Sequence, residues 1–253
     1  MTEMPEITKL EDGACIWSHT FETFTATVYL PVPKKELLSD KLNYGFMAPY
    51  LLVFAEEKLD YEAAISFARE KGFEELAGNF ASSVVFVYPN TSSSGQDETQ
   101  AAEVWQKASP KIFSEIITNS RIHQYYANGI VKAWNRFTNK IDGYFIRGAI
   151  FRTCLFGYGA GADYIAKNCL KHFEGDGLWG KADIAPVTCF LNRLSVLPEF
   201  GAAGIDEDSS GTIADDIPIV SYGNSDKIND FFRKNCKYFF ERKEAAISTA
   251  MKA

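Results

Sequence analysis

A chain of 253 residues, 46% apolar and 14% aromatic, is long enough to bury a large core as one α/β domain. Its formal net charge of -7, with lysines and arginines scattered along the chain, argues against non-specific attraction to nucleic-acid phosphates or anionic lipid. No apolar run reaches the roughly 20 residues that span a bilayer, and the opening Met-Thr-Glu-Met-Pro-Glu lacks the basic and apolar regions of a secretion signal, so a cytoplasmic location is the expectation.

Residues 23–30 alternate polar and apolar, which predicts a half-buried strand near a sheet edge, stopped by Pro31 and Pro33. Residues 48–54 are a continuous apolar run of strand length, and residues 61–76 follow with helical spacing at Ile65, Phe67, Ala68 and Phe73. The run 83–88 is apolar throughout, as expected of a parallel strand covered on both faces, and Pro89 and Asn90 end it. Residues 91–100, rich in Ser, Gly and acidic groups, read as an exposed loop at a strand's carboxyl end, where ligand contacts often gather. Residues 110–140 have the periodicity of one or two helices. Residues 151–166 read as strand, glycine turn and helix, with the helix running over 162–173. A Gly-rich loop (174–180), a strand (186–191), an acidic loop (198–216), a strand (217–222) and an amphipathic helix (226–242) complete the order. This alternation predicts one domain over residues 1–253, a mainly parallel sheet with helices on both faces. Runs 84–88, 153–156, 187–191 and 219–221 are expected as adjacent parallel strands at its middle.

The glycine turn has the setting of a G-x-S-x-G nucleophile elbow, in which a strained strand-to-helix turn holds up an attacking serine. Here Gly157, Tyr158, Gly159, Ala160 and Gly161 fill the five positions, and the place of the serine is taken by Gly159. A positive φ is expected there.

Three places together resemble the α/β-hydrolase superfamily, most closely its esterase and polyhydroxyalkanoate-depolymerase branch. They are Phe73-Glu-Glu-Leu-Ala77 leading into Val85-Phe-Val-Tyr-Pro89, the elbow, and the apolar run from Pro218 that ends in Gly223-x-x-Asp226. The resemblance covers about residues 23–242. It implies an α/β-hydrolase-like sheet and carboxylic-ester hydrolysis as the ancestral chemistry. It further puts Gly159 at the nucleophile position, Asp226 at the acid position, and Tyr158 and Ala160 beside the nucleophile as binding positions.

Acyl transfer needs a nucleophile, a base, an acid to orient the base, and donors for the oxyanion. Gly159 carries no nucleophile. The base follows the acid in hydrolase chain order, yet His19, His123 and His172 all precede Asp226. The run Ala55-Glu-Glu-Lys-Leu-Asp60 places adjacent carboxylates where an oxyanion would develop. Two explanations stand: a degenerate hydrolase acting in binding or assembly, or an active esterase whose nucleophile is unrecognised or substituted and whose last strand and His loop lie beyond Ala253.

Other chemistry is thin. Cys15, Cys154, Cys169, Cys189 and Cys236 have no metal-ligand spacing and read as structural thiols rather than a disulfide framework. Ser92 to Gly95 reads as a flexible loop. The glycines at 157–161 could cradle a phosphate as in dinucleotide folds, but the motif comes late in the chain. The acidic groups at 206–208, 215 and 216 fit no calcium-loop spacing. No cofactor or metal is called for. A small-molecule or acyl-ester ligand and a homo-oligomer stay open, with Trp105, Tyr125, Tyr126, Trp134, Tyr158 and Trp179 as apolar wall material.

Overall fold

A computed structural model describes residues 6–38, 50–56, 58–80, 82–90, 97–108, 153–169, 186–192, 219–223 and 237–252, with the short pieces 205–206, 209–210, 228 and 232–233. In chain order these form β1 (Thr8–Lys9), β2 (Cys15–Thr20), β3 (Phe24–Leu30), a 3-10 turn (Lys35–Leu38), β4 (Tyr50–Phe54), α1 (Tyr61–Glu70), α2 (Phe73–Phe80) and β5 (Val84–Pro89). There follow α3 (Asp97–Lys107), β6 (Thr153–Tyr158), α4 (Ala160–Tyr164) running into a π-helical turn (Ile165–Cys169), β7 (Pro186–Asn192), β8 (Ile205–Asp206), β9 (Ser209–Ser210), β10 (Ile219–Gly223) and α5 (Lys237–Lys252).

Eight strands make one sheet in the order β1-β2-β3-β5-β4-β6-β7-β10. It is mixed. The block β5-β4-β6-β7-β10 is parallel, and β1, β2 and β3 join β5 antiparallel. The architecture is therefore α/β, but the expected mainly parallel sheet carries an antiparallel flank, because the chain begins with the short connections β1 to β2 and β2 to β3 that only antiparallel neighbours allow. The run 23–30 lies third from the sheet edge and is fully rather than half buried. All seven residues of β3 are buried between β2 and β5. Runs 84–88 and 153–156 are not adjacent either, since β4 lies between them.

Alternation along the strands sends side chains to two helical layers. On one face Phe67 of α1 packs against Phe86 and Tyr158, and Phe73 of α2 meets Phe156 edge-on with centroids 4.8 Å apart. On the other face Phe54 packs against Trp105 of α3 and Tyr164 of α4, both at 5.7 Å. Each fully buried aromatic or aliphatic side chain contributes about 1.5–3 kcal/mol of transfer free energy. Phe240 of α5 stacks edge-on with Phe80 at the end of α2, and Lys243 lies over both rings, with burial pushing its ammonium pKa down.

Several element boundaries differ from expectation for local reasons. The predicted helix over 61–76 is two helices, α1 and α2, because Gly72 takes φ 82° and turns the chain between them. Asp60 starts α1 by accepting the Ala63 amide at 2.8 Å. The last four residues of the predicted loop 91–100 belong to α3, and the predicted acidic loop 198–216 contains the β8–β9 hairpin. The closing helix extends to Lys252, ten residues past 242. The helices expected over 110–140, and the residues Tyr125, Tyr126, Trp134, Trp179, His123, His172 and Asp226, lie outside the described residues. Among the described residues no helix is long and apolar enough to cross a membrane.

Candidate functional site

The order β5-β4-β6 reverses the direction in which the sheet is built. From β4 the chain crosses to β5 through α1 and α2 on one face. After β5 it enters α3 on the other face, and β6, on the far side of β4, leads into α4 on that same face. Open α/β sheets bind ligands at the carboxyl ends of the strands at such a reversal, because the two connections diverge and leave a crevice. A cavity of about 320 Å³ occupies that place. It is bordered by Glu56 after β4, by Ala102, Trp105 and Gln106 of α3, by Gly159 and Ala160 at the turn after β6, and by Asp163, Tyr164 and Lys167 beyond it.

The turn after β6 is held from three sides. Gly159 stands at its apex with φ 51° and ψ -123°, a conformation that side-chain-bearing residues rarely hold. Its amide donates to the Asn192 carbonyl at the end of β7 (2.9 Å), and its carbonyl accepts from Ala162 and Asp163. The flanking glycines serve close approach. A β-carbon on Gly161 would enter the Phe54 carbonyl group, 2.8 Å from its carbon, and one on Gly157 would lie 2.9 Å from Ile165 Cδ1. Helix α4 can thus rest on the backbone of β4 and β6 only because positions 157 and 161 are bare.

At Gly159 the steric situation is different in kind. The three heavy atoms nearest to a β-carbon there all belong to the carboxylate group of Glu56, with Oε2 at 2.7 Å and Oε1 nearer still. The volume that an elbow side chain would fill is thus taken by a carboxylate from the neighbouring strand end. Glu56 is carried there by a locked backbone, since the Ala55 amide donates to Val87 of β5 (2.8 Å) and the Ala55 carbonyl accepts from Trp105 Nε1 (3.1 Å). Trp105 is 2% exposed, so the link is shielded from water.

Of the residues singled out in the sequence, Gly159, Ala160 and Trp105 border the cavity. Tyr158 does not. It points to the opposite face of the sheet, buried against Phe67 at 5.0 Å, as alternation along β6 requires. His19 lies on β2, separated from β4 by β3 and β5, with its ring edge-on to Phe21 at 4.5 Å and its pKa lowered by burial. Cys15 and Cys154 are buried and outside any disulfide, and burial raises the Cys15 pKa. Among the described residues no three His, Cys, Asp or Glu side chains group as a metal site.

Sequence reasoning passed over Asp163 and Lys167 as lining residues. A signal for them exists: positions 160, 163, 164 and 167 have the i, i+3, i+4, i+7 spacing of a single helical face, and 102, 105 and 106 repeat it on α3.

No protein-family model matches the chain, and no curated protein sequence matches it.

Proposed function

We propose that this chain is an α/β-hydrolase-like protein of the esterase type whose elbow cavity binds a small molecule without hydrolysing esters. One observation carries the reading: the Glu56 carboxylate stands in the volume of the missing side chain at Gly159. The strained strand-to-helix turn is the device by which hydrolases lift a nucleophile above the sheet, and the loop after the preceding central strand supplies an oxyanion donor in that family. In this chain the turn retains its backbone geometry while both chemical roles are reversed, with no hydroxyl at residue 159 and a carboxylate at the loop. A negative group there opposes the charge that develops on a carbonyl oxygen during acyl transfer. The cavity is at the small end of the roughly 300–1,000 Å³ range of small-molecule sites.

Incubation with a fluorophosphonate probe and with short acyl esters tests this. The expected outcome is neither covalent labelling nor turnover above background, because labelling needs a hydroxyl activated by a base within about 3 Å. Stoichiometric labelling of any serine, Ser92, Ser94 and Ser221 included, overturns the reading in favour of a working esterase.

A further inference from the structure

We propose that α5 is a releasable latch, docked on α2 through an aromatic cluster that also buries the Lys243 ammonium, so that the charge on this one side chain sets how firmly the helix holds. The seat is built from rings. Phe240 of α5 meets Phe80 of α2 with centroids 4.9 Å apart, and Phe232, ahead of the helix, lies 5.9 Å from each. Lys243 stands one turn after Phe240 on the same face. It is 7% exposed, and among the described residues it is the one charged side chain in the buried class. A core that excludes charge elsewhere thus admits it at the joint between α5 and the rest of the chain.

The contacts of the ammonium do not repay its burial. Nζ lies 5.4 Å from the Phe80 centroid and 5.9 Å from that of Phe240, near the roughly 6 Å limit at which a ring face attracts a cation, whereas the loss of water around a charge is costly. Glu36 of the 3-10 turn and Glu244 of α5 attract it, while Lys34 before that turn and Arg233 repel it. All four are exposed, so solvent and salt screen them. Arg233 also stands over the Phe240 ring at 4.6 Å, which brings a second cation to the same seat. Burial is the leading influence on Lys243 and lowers its pKa from the ordinary 10.5. A docked-state pKa below the released-state value means that the docked helix prefers the neutral amine. Docking is therefore weakest at neutral pH and below, where Lys243 is charged, and strengthens as pH rises through the lowered pKa towards 10.5.

Amide hydrogen exchange of the full chain, expressed as protection corrected for the intrinsic chemical rate and followed from about pH 7 to 10, tests the latch against β5 as an internal reference. In the native chain α5 should be less protected than β5, and its protection should rise with pH. Lys243→Met keeps the length of the side chain and removes its charge. At pH 7 it should raise α5 protection at least about fivefold, the low end of what replacing a buried charge by an apolar group yields, and it should abolish the rise with pH. Lys243→Arg stays charged over that range and should remain weakly protected throughout. Lower α5 protection in Lys243→Met, or its failure to fold by circular dichroism, would show that the ammonium supports the joint and would overturn the proposal. Equal protection of α5 and β5 in the native chain, or a pH response of α5 that persists in either variant, would overturn it as well.

Discussion

Two parts of the sheet place their polar side chains differently. In the antiparallel flank, strands β2, β3 and β5 turn a row of hydroxyls to one face and pair them with one another. Ser18 Oγ lies 2.7 Å from Thr27 Oγ1, which lies 2.8 Å from the Tyr88 hydroxyl, while Thr25 Oγ1 donates to Asn90 Oδ1 at 2.6 Å and Asn90 Nδ2 to the Phe21 carbonyl. The strand register, with Ser18 opposite Thr27 and Thr25 opposite Tyr88, makes that pairing geometrically cheap. At the reversal between β4 and β6 the polar side chains of Glu56, Asp163, Lys167 and Gln106 border a cavity. A paired row inside the sheet contributes to stability, and a cavity at a strand-end reversal is where open α/β sheets take ligands. The difference between the two regions is what gives the second one a functional reading.

The largest expected effect comes from the residue on which the site region is built. Phe54→Ala removes the ring between Trp105 and Tyr164 and should cost about 3–5 kcal/mol in chemical denaturation. Gly161→Ala, which drives a β-carbon into the Phe54 carbonyl, should cost about 1–3 kcal/mol. A harmless Gly161→Ala would mean that α4 does not rest on β4.

In the antiparallel flank, Thr27→Val keeps the shape and removes the hydroxyl shared by Ser18 and Tyr88. Thr27 is fully buried, so the expected loss is about 1–3 kcal/mol from groups left without their partner. The combination with Tyr88→Phe should recover part of it. Alkaline pH probes the same region and its neighbour Tyr29. Burial raises the pKa of Tyr88, and burial with the nearby Glu74 charge raises that of Tyr29. Because both folded values lie above the ordinary tyrosine value near 10, the unfolded chain loses these protons first. The stability they contribute is therefore intact below about pH 10 and declines as pH rises beyond it. Urea midpoints measured from pH 8 to 11 should show that onset, and Tyr88→Phe should weaken it.

How much of this was readable in the chain follows from the range of the forces involved. The continuous apolar runs at 84–88 and 153–156 are strands because burial on both faces leaves no polar position, and Gly159 has positive φ because the spacing of three glycines announces a sharp turn. Strand order is a long-range property. Nothing within 48–54 says that it enters between 84–88 and 153–156, and the hairpin partner β2 was hidden because Cys15-Ile-Trp-Ser-His-Thr20 interrupts its alternation with a tryptophan next to a serine and a histidine. Glu56 stood out in the sequence as a carboxylate near an expected oxyanion position. That it fills the volume beside Gly159 depends on Ala55 being tied to both Val87 and Trp105, contacts that span 32 and 50 residues. Tyr158 shows the converse. Adjacency to Gly159 in the chain suggested adjacency in the site, whereas strand alternation sends its ring through to the other layer.

The smallest expected effect on stability belongs to Lys167, and it is the most direct contrast with Thr27. Lys167 is exposed and borders the cavity from the helix face that also carries Asp163. A polar group buried in a paired row costs stability when removed, but an exposed side chain at the border of a cavity should not. Lys167→Met is therefore expected to change the unfolding free energy by no more than about 0.5 kcal/mol. A loss of stability comparable to that of Thr27→Val would place Lys167 with the paired groups of the flank and break the distinction between the two regions.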